Sequence, residues 1–352
     1  MKKRIFTLLL ALTLILCSLT SCIAKNNGQE NGTGDSTQTA LTLTNALDLT
    51  AEWDKVTTPG SLVQGCVVVR TEFLEQHPEA VAKFLTEYKS SIQYLSTNIA
   101  EAAQMIEENG IFTKAAIAQK AIPKCNVTYL DGADMKVAMQ NYLSVLHSIN
   151  PNSIGGSLPT DDFYYTPSQA AAAANDDVTV RVFTLNGTTG FGMAKLMNDA
   201  KAGTASQNYT FEVKSDASDV TSALINGSVD IAALPTNAAA NVFNKTQGGL
   251  KILAVNTLGC LYLLTNQNAT VTSFADLKGK TVYVPAQNPT FIFTYLCKQN
   301  SLEIGKDVII DSQSYAAAAN LRDAVASGVV DIAVLPEPMV TIAMSTVAAA
   351  QK

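Results

Sequence analysis

The sequence predicts an α/β protein of two lobes, each a mostly parallel sheet flanked by helices. Two observations carry this. From residue 178 onward, short apolar runs of strand length alternate with segments of helical spacing. The alternation also occurs twice. GSVDIAALPTNAA (227–239) returns as GVVDIAVLPEPMV (328–340), and VRVFTLNGT (180–188) returns as VYVPAQNPT (282–290), at offsets of 101 and 102 residues. A single match is what any buried strand gives, but two matches at nearly one offset point to two lobes of one plan. The length, 352 residues, suits two domains, and a hydrophobic content of 47% with 15% charge suits a real core.

The elements follow in chain order. Residues 2–4 are basic and 5–16 apolar, the pattern of a signal peptide. Leu19-Thr20-Ser21-Cys22 then resembles a bacterial lipobox, which implies a lipid on Cys22 and an extracytoplasmic, membrane-anchored protein. Residues 26–39 are polar, without an aromatic residue, and read as a flexible tether. In the first lobe, strands are expected at 178–183, 209–213, 229–234 and 250–256, and helices at 191–199, 218–226 and 237–243. Gly227 closes one helix in the usual position. In the second lobe, strands are expected at 280–284, 307–310 and 330–335, with helices at 291–299, 316–326 and 338–350.

Two facing lobes make a cleft, and in open α/β sheets ligands bind beyond the carboxyl ends of the strands. The loops there are 186–190, 235–237, 287–290 and 336–338. They supply the candidate ligand-binding residues Asn186, Gly187, Thr188, Thr189, Thr236, Asn237, Gln287, Asn288, Thr290 and Glu337. Each loop precedes a helix, whose free N–H groups and positive dipole end attract an anion. Taken singly, each loop is better explained by helix capping. Four in mirrored positions favour a binding cleft. Trp53, the only tryptophan, is a candidate for stacking on ligand, with core packing the equal alternative.

The net charge of −6 and a pI near 5.0 argue against nucleic acid or an anionic membrane surface as partner. Cys66, Cys125, Cys260 and Cys297 lack metal-ligand spacing, so neither metal nor cofactor is expected. Cys66 and Cys260 both follow Gly and open apolar runs. A disulfide between them is open, and two buried thiols are the favoured reading. His77 and His147 neighbour no motif cysteine, and no nucleophile–base set stands out, so an enzyme is not expected.

The segment from Thr272 to Val282, with its DLKGKTV core, resembles substrate-binding proteins of ABC importers. GVVDIAVLPEP (328–338) is similar to their nitrate/sulfonate/taurine branch, which includes thiamine-pyrimidine binders. Residues 69–107 and 155–165 resemble that branch's carboxyl-terminal segments. The resemblance implies the two-lobe periplasmic-binding-protein fold (type II), here in circularly permuted order, because the closing segments precede the first lobe. The division it implies is signal peptide and lipobox 1–22, tether 23–44, returning strands of the second lobe and hinge 45–70, and closing helices, mainly of the first lobe, 71–166. A linker 167–176, the first lobe 177–262 and the second lobe 263–352 complete it. The returning strand is expected at 46–50, and the hinge near 259–265 and 65–70.

By this resemblance the protein is a monomeric, lipid-anchored solute-binding protein that closes on a small polar molecule and delivers it to an ABC permease. The ligand is expected to be sulfonate-like or another small anion, or an aminopyrimidine paired with Glu337. The alternatives are a lipid-anchored sensor presenting its ligand to a membrane receptor, and an enzyme resembling the pyrimidine synthases. Beyond the signal peptide the arginines are Arg70, Arg181 and Arg322, and none lies in the four loops, so no guanidinium clamp is evident.

Overall fold

A computed structural model describes residues 40–166 and 178–352. Cys22, the tether up to residue 39 and the linker 167–176 lie outside the described residues. The elements of the first stretch are β1 (Leu43–Asp48), α1 (Leu49–Val56), β2 (Val63–Arg70), α2 (Thr71–Gln76), α3 (Pro78–Thr97), α4 (Ile99–Glu108), α5 (Ala115–Ala121), β3 (Val127–Leu130) and α6 (Gly132–Ile149). In the second stretch, β4 (Thr179–Leu185), α7 (Thr188–Phe191), α8 (Ala194–Ala202), β5 (Asn208–Lys214), α9 (Ala217–Asn226), β6 (Ile231–Pro235), α10 (Thr236–Thr246) and β7 (Leu250–Leu258) come first. They are followed by β8 (Leu261–Asn266), β9 (Lys280–Tyr283), α11 (Asn288–Gln299), β10 (Val308–Asp311), α12 (Ala318–Ala326), β11 (Ile332–Pro336) and α13 (Met339–Ala350).

The strands form two sheets, in the orders β3-β7-β2-β6-β4-β5 and β1-β8-β11-β9-β10. In the first, β5, β4 and β6 are parallel and β2 runs antiparallel to both β6 and β7. In the second, β10, β9 and β11 are parallel and β8 runs antiparallel to both β11 and β1. Five strands of each sheet thus repeat one pattern, three parallel, one reversed and one restoring the first direction, and β3 adds a sixth to the first sheet, antiparallel to β7. The reversed strands are those that enter from the other lobe.

The predicted strands and helices of both lobes are present, shifted by a few residues at their ends. The helix expected at 191–199 is two helices, α7 and α8, broken at Gly192 and Met193. Gly192 packs so tightly that a Cβ there would lie 2.7 Å from Ile92. The returning strand begins at Leu43, inside the expected tether, and the chain is already helical at Leu49. Asp48 dictates this, since its carboxylate accepts the amides of Thr50 and Ala51 at 2.9 and 3.4 Å and so caps α1.

The chain passes between the sheets at two places. Gly259 and Cys260 join β7 to β8, and residues 57–62 join α1 to β2. Residues 65–70, expected as hinge, are instead the interior of β2, held between β6 and β7. The two crossings touch: a Cβ on Gly259 would lie 2.3 Å from Thr50 Oγ1 and 2.5 Å from Leu62 Cδ2.

One core cluster runs through both lobes, joining Trp53, Val68, Met139, Leu263 and Phe293. Trp53 is fully buried. Its indole N–H donates to Ser61 Oγ at 2.9 Å, and its ring packs against Tyr142 of α6 and Tyr295 of α11. The expected stacking of Trp53 on a ligand has no support in this geometry, because protein occupies every side of the ring. The four described cysteines are free and buried. Cys66 Sγ faces the Leu234 carbonyl across β2 and β6 at 3.5 Å, so it makes no bridge to Cys260.

Candidate functional site

The four loops lie at the carboxyl ends of β4, β6, β9 and β11, and the structure brings them together unequally. Asn186, Gly187, Thr188 and Glu337 line one cavity of about 410 Å³, with contributions from both sheets. Gly187 has φ +84°, a left-handed conformation that glycine adopts without strain, and its amide donates to the Ile111 carbonyl at 3.0 Å. That bond pins the β4 loop to the segment after α4, so residues 110–113 form another wall. Thr188 bonds the Cys260 thiol at the crossing between the sheets. Burial pushes the Cys260 thiol up to about 12, so it is protonated at neutral pH and is not a nucleophile.

Asn237 and Gln287 line a second depression of about 440 Å³, beside Phe291 and Lys245. Asn288 bridges the lobes, its Nδ2 donating to Asn237 Oδ1 at 2.9 Å. Its own Oδ1 is buried and without a partner, an acceptor available to a donor entering the cleft.

The remaining candidates are committed to the scaffold. Thr236 is fully buried, and its hydroxyl donates to the Val63 carbonyl at 2.7 Å, so it ties α10 to β2. Thr290 donates to the Pro285 carbonyl at 2.8 Å, closing its own turn. Thr189 is held through its backbone alone, its carbonyl receiving Asn256 Nδ2 at 3.2 Å. The helix-end expectation also needs correction at two loops. The helix after 186–187 is only four residues long, and at the start of α13 the Thr341 amide already has a partner.

Glu337 is that partner. It is 2% exposed, and its Oε2 and Oε1 accept the amide and hydroxyl of Thr341 at 3.1 and 2.9 Å. Desolvation raises its pKa above the ordinary carboxylate value, and the two Thr341 bonds oppose the shift. A carboxyl whose folded pKa exceeds its unfolded value stabilises the fold most when protonated. We therefore expect stability to fall as pH rises from the ordinary carboxylate range through the raised value, and then to level off. Glu337→Gln keeps an acceptor for the Thr341 amide, so it should flatten that slope. Denaturant midpoints of both proteins across pH 4–8 (about that range) check it.

One lining residue was not legible in the loops. Arg322, on α12, borders the first cavity together with Ala318, one turn earlier. The signal lay in the spacing: positions four apart share a helix face. Among the described residues, no group of three or more His, Cys, Asp or Glu side chains is placed to hold a metal. Among these residues, too, no helix is long and apolar enough to cross a membrane.

Three solved structures are similar to this chain. An ABC transporter from Parabacteroides distasonis is 22% identical over 49% of this chain and 56% of its own, with a TM-score of 0.34. The periplasmic aliphatic sulphonate binding protein SsuA from Escherichia coli is 18% identical over 47% and 57%, with a TM-score of 0.35. The alkanesulfonate-binding protein SsuA from Xanthomonas axonopodis pv. citri, bound to MOPS, is 19% identical over 47% and 56%, with a TM-score of 0.31. The chain thus spans a little over half the length of each. No curated protein matches it. Residues 193–350, from the start of α8 to the end of α13, match the family model of the phosphonate ABC transporter's periplasmic substrate-binding protein, and the match takes in strands β5 to β11.

Proposed function

We propose that this protein captures a small anion of the phosphonate or sulfonate class between its lobes and delivers it to an ABC permease. The observation that carries the reading is the cavity walled by residues 186–188 from one sheet and 336–339 from the other. A ligand that touches both walls favours the closed arrangement by its differential affinity for it. The crossings at 57–62 and 259–260 are the hinge. An anion suits the site better than an aminopyrimidine, because both Glu337 oxygens are already engaged by Thr341. The matched phosphonate family points the same way. Lipid attachment at Cys22, an extracytoplasmic location, the nitrate/sulfonate/taurine branch and a monomeric state complete the proposal.

The test is the thermal midpoint of the purified chain against methylphosphonate, methanesulfonate, nitrate and an aminopyrimidine. A ligand at about 100 times its dissociation constant adds roughly 2.7 kcal/mol, worth several degrees. We expect the phosphonate or sulfonate to raise the midpoint. A response to the aminopyrimidine alone overturns the ligand class, and no response overturns the site.

The permuted order is part of the proposal, and strand order supports it. In the first sheet β6 leads through α10 directly to β7, the strand that restores the first direction. In the second, β11 leads to α13, yet the equivalent strand is β1, from the other end of the described chain. The Gln351 side chain donates to the Leu41 carbonyl, so α13 ends where that strand begins. A chain joining residue 352 to residue 40 by a short linker and opened within 167–177 should fold to a stability within about 1 kcal/mol of the parent. Its failure to give a cooperative melt would count against the permutation.

A further inference from the structure

We propose that Arg322 is the charged partner of the anion in the inter-lobe cavity, the residue that selects an oxyanion headgroup there. The inference rests on the reading of that cavity given above and adds to it the group that supplies the positive charge.

The three arginines beyond the signal peptide have different neighbours. Arg181 grips the buried carboxylate of Asp230, its Nε and Nη2 reaching the two oxygens at 2.9 and 2.5 Å. Arg70 reaches the same Asp230 at 3.5 Å, and gives its other groups to Glu72 and the Val229 carbonyl. Both are committed to holding β2, β4 and β6 in register. Arg322 alone of the three borders the cavity shared by the lobes.

Its guanidinium is also incompletely used. The Nε edge meets Asp323 Oδ1 at 2.8 Å, with Nη2 at 2.7 Å from the same oxygen. Asp323 is 69% exposed, so it is a weak, solvent-screened competitor. Nη1 reaches only the sulfur of Met339, at 3.6 Å, a poor acceptor. A guanidinium carries five N–H donors in a planar fork that matches two oxygens of a phosphonate or sulfonate. The Arg322 side chain is 22% exposed, partly withdrawn from water, which strengthens such a pair. Across the cavity, Gly187 and Thr188 line the facing wall, with the Gly187 amide given to Ile111 and the Thr188 side chain to the Cys260 thiol, so Arg322 is the charged donor there. Glu337, the acidic residue on the wall, is turned to Thr341 at the start of α13.

The experiment is calorimetric titration of the full chain and of Arg322→Ala, Arg322→Gln and Arg322→Lys with methylphosphonate and methanesulfonate. Losing a charged hydrogen-bond pair weakens binding roughly 10- to 100-fold, and we expect this for Ala and Gln. Lys should recover part of the loss, since it keeps the charge without the fork. Ligand-free melting midpoints should match the parent, because the partners lost are a surface carboxylate and a thioether. Should a variant melt early, Arg322→Lys at matched stability decides. Equal binding by parent and Arg322→Ala overturns the role of Arg322 while the cavity reading stands. A parent chain that binds neither anion overturns both.

Discussion

Trp53→Ala should cost about 3–5 kcal/mol of folding stability, the range for emptying a large buried aromatic site. The ring joins three elements that belong to different parts of the fold. It sits on α1, with centroids 5.8 Å from Tyr142 on α6 and 5.1 Å from Tyr295 on α11. α11 follows a strand of the second sheet, whereas α6 packs on β2 and β7 of the first. The indole therefore seals the lobes together beside the crossings. Removing it leaves a cavity and strips Ser61, itself 1% exposed, of its indole donor. A total stability of about 5–15 kcal/mol leaves little margin for such a loss. Trp53→Phe should cost less, because most of the contact area survives and about 1 kcal/mol of hydrogen bonding is lost. Urea unfolding followed by circular dichroism measures both. Unchanged stability with abolished ligand binding would restore the stacking role that the buried geometry argues against.

Gly190→Ala should be comparably damaging, and its damage should reach the site. A Cβ at residue 190 would lie 2.0 Å from the Leu185 carbonyl oxygen and 2.9 Å from Ile111 Cγ2. The first is backbone at the end of β4, so no side-chain rotation relieves it. The clash must open the turn that carries Asn186, Gly187 and Thr188, and it pushes on the same Ile111 whose carbonyl holds the Gly187 amide. We expect a loss of at least about 3 kcal/mol, at the upper end for overpacking. Whatever fraction folds should bind anion about tenfold more weakly or worse, equivalent to about 1.4 kcal/mol of misplacement. Paired denaturation and calorimetric titration separate the two effects. Parent-like values in both would show that the loop is softer than its packing implies.

The repeated lobes were readable because each strand–loop–helix unit carries local signals: an apolar run, a Gly or Pro turn, a helix with one apolar face. Gly227, at φ +76° after α9, is such a signal met in the structure. Side-chain direction was not readable. Thr236 and Asn237 are neighbours in sequence, yet the first turns inward to Val63 and the second faces Asn288 across the cleft. Only the packing of α10 on β2 decides which. A hinge is expected at residues 65–70 because the resemblance has the chain cross between the lobes there. Their neighbours on both sides, β6 and β7, make them sheet interior instead. Arg322 lies outside the four loops, yet a long side chain on a helix can reach a cavity from one turn in.

A ligand held between the lobes must contact both of them. Amide hydrogen exchange of the full chain, with and without saturating methylphosphonate, reads out those contacts. We expect slowed exchange at 186–190 in the first lobe together with 336–341 in the second, and at the crossings 57–62 and 259–260. Protection confined to one lobe, or absent from both walls of the cavity, would contradict binding between the lobes.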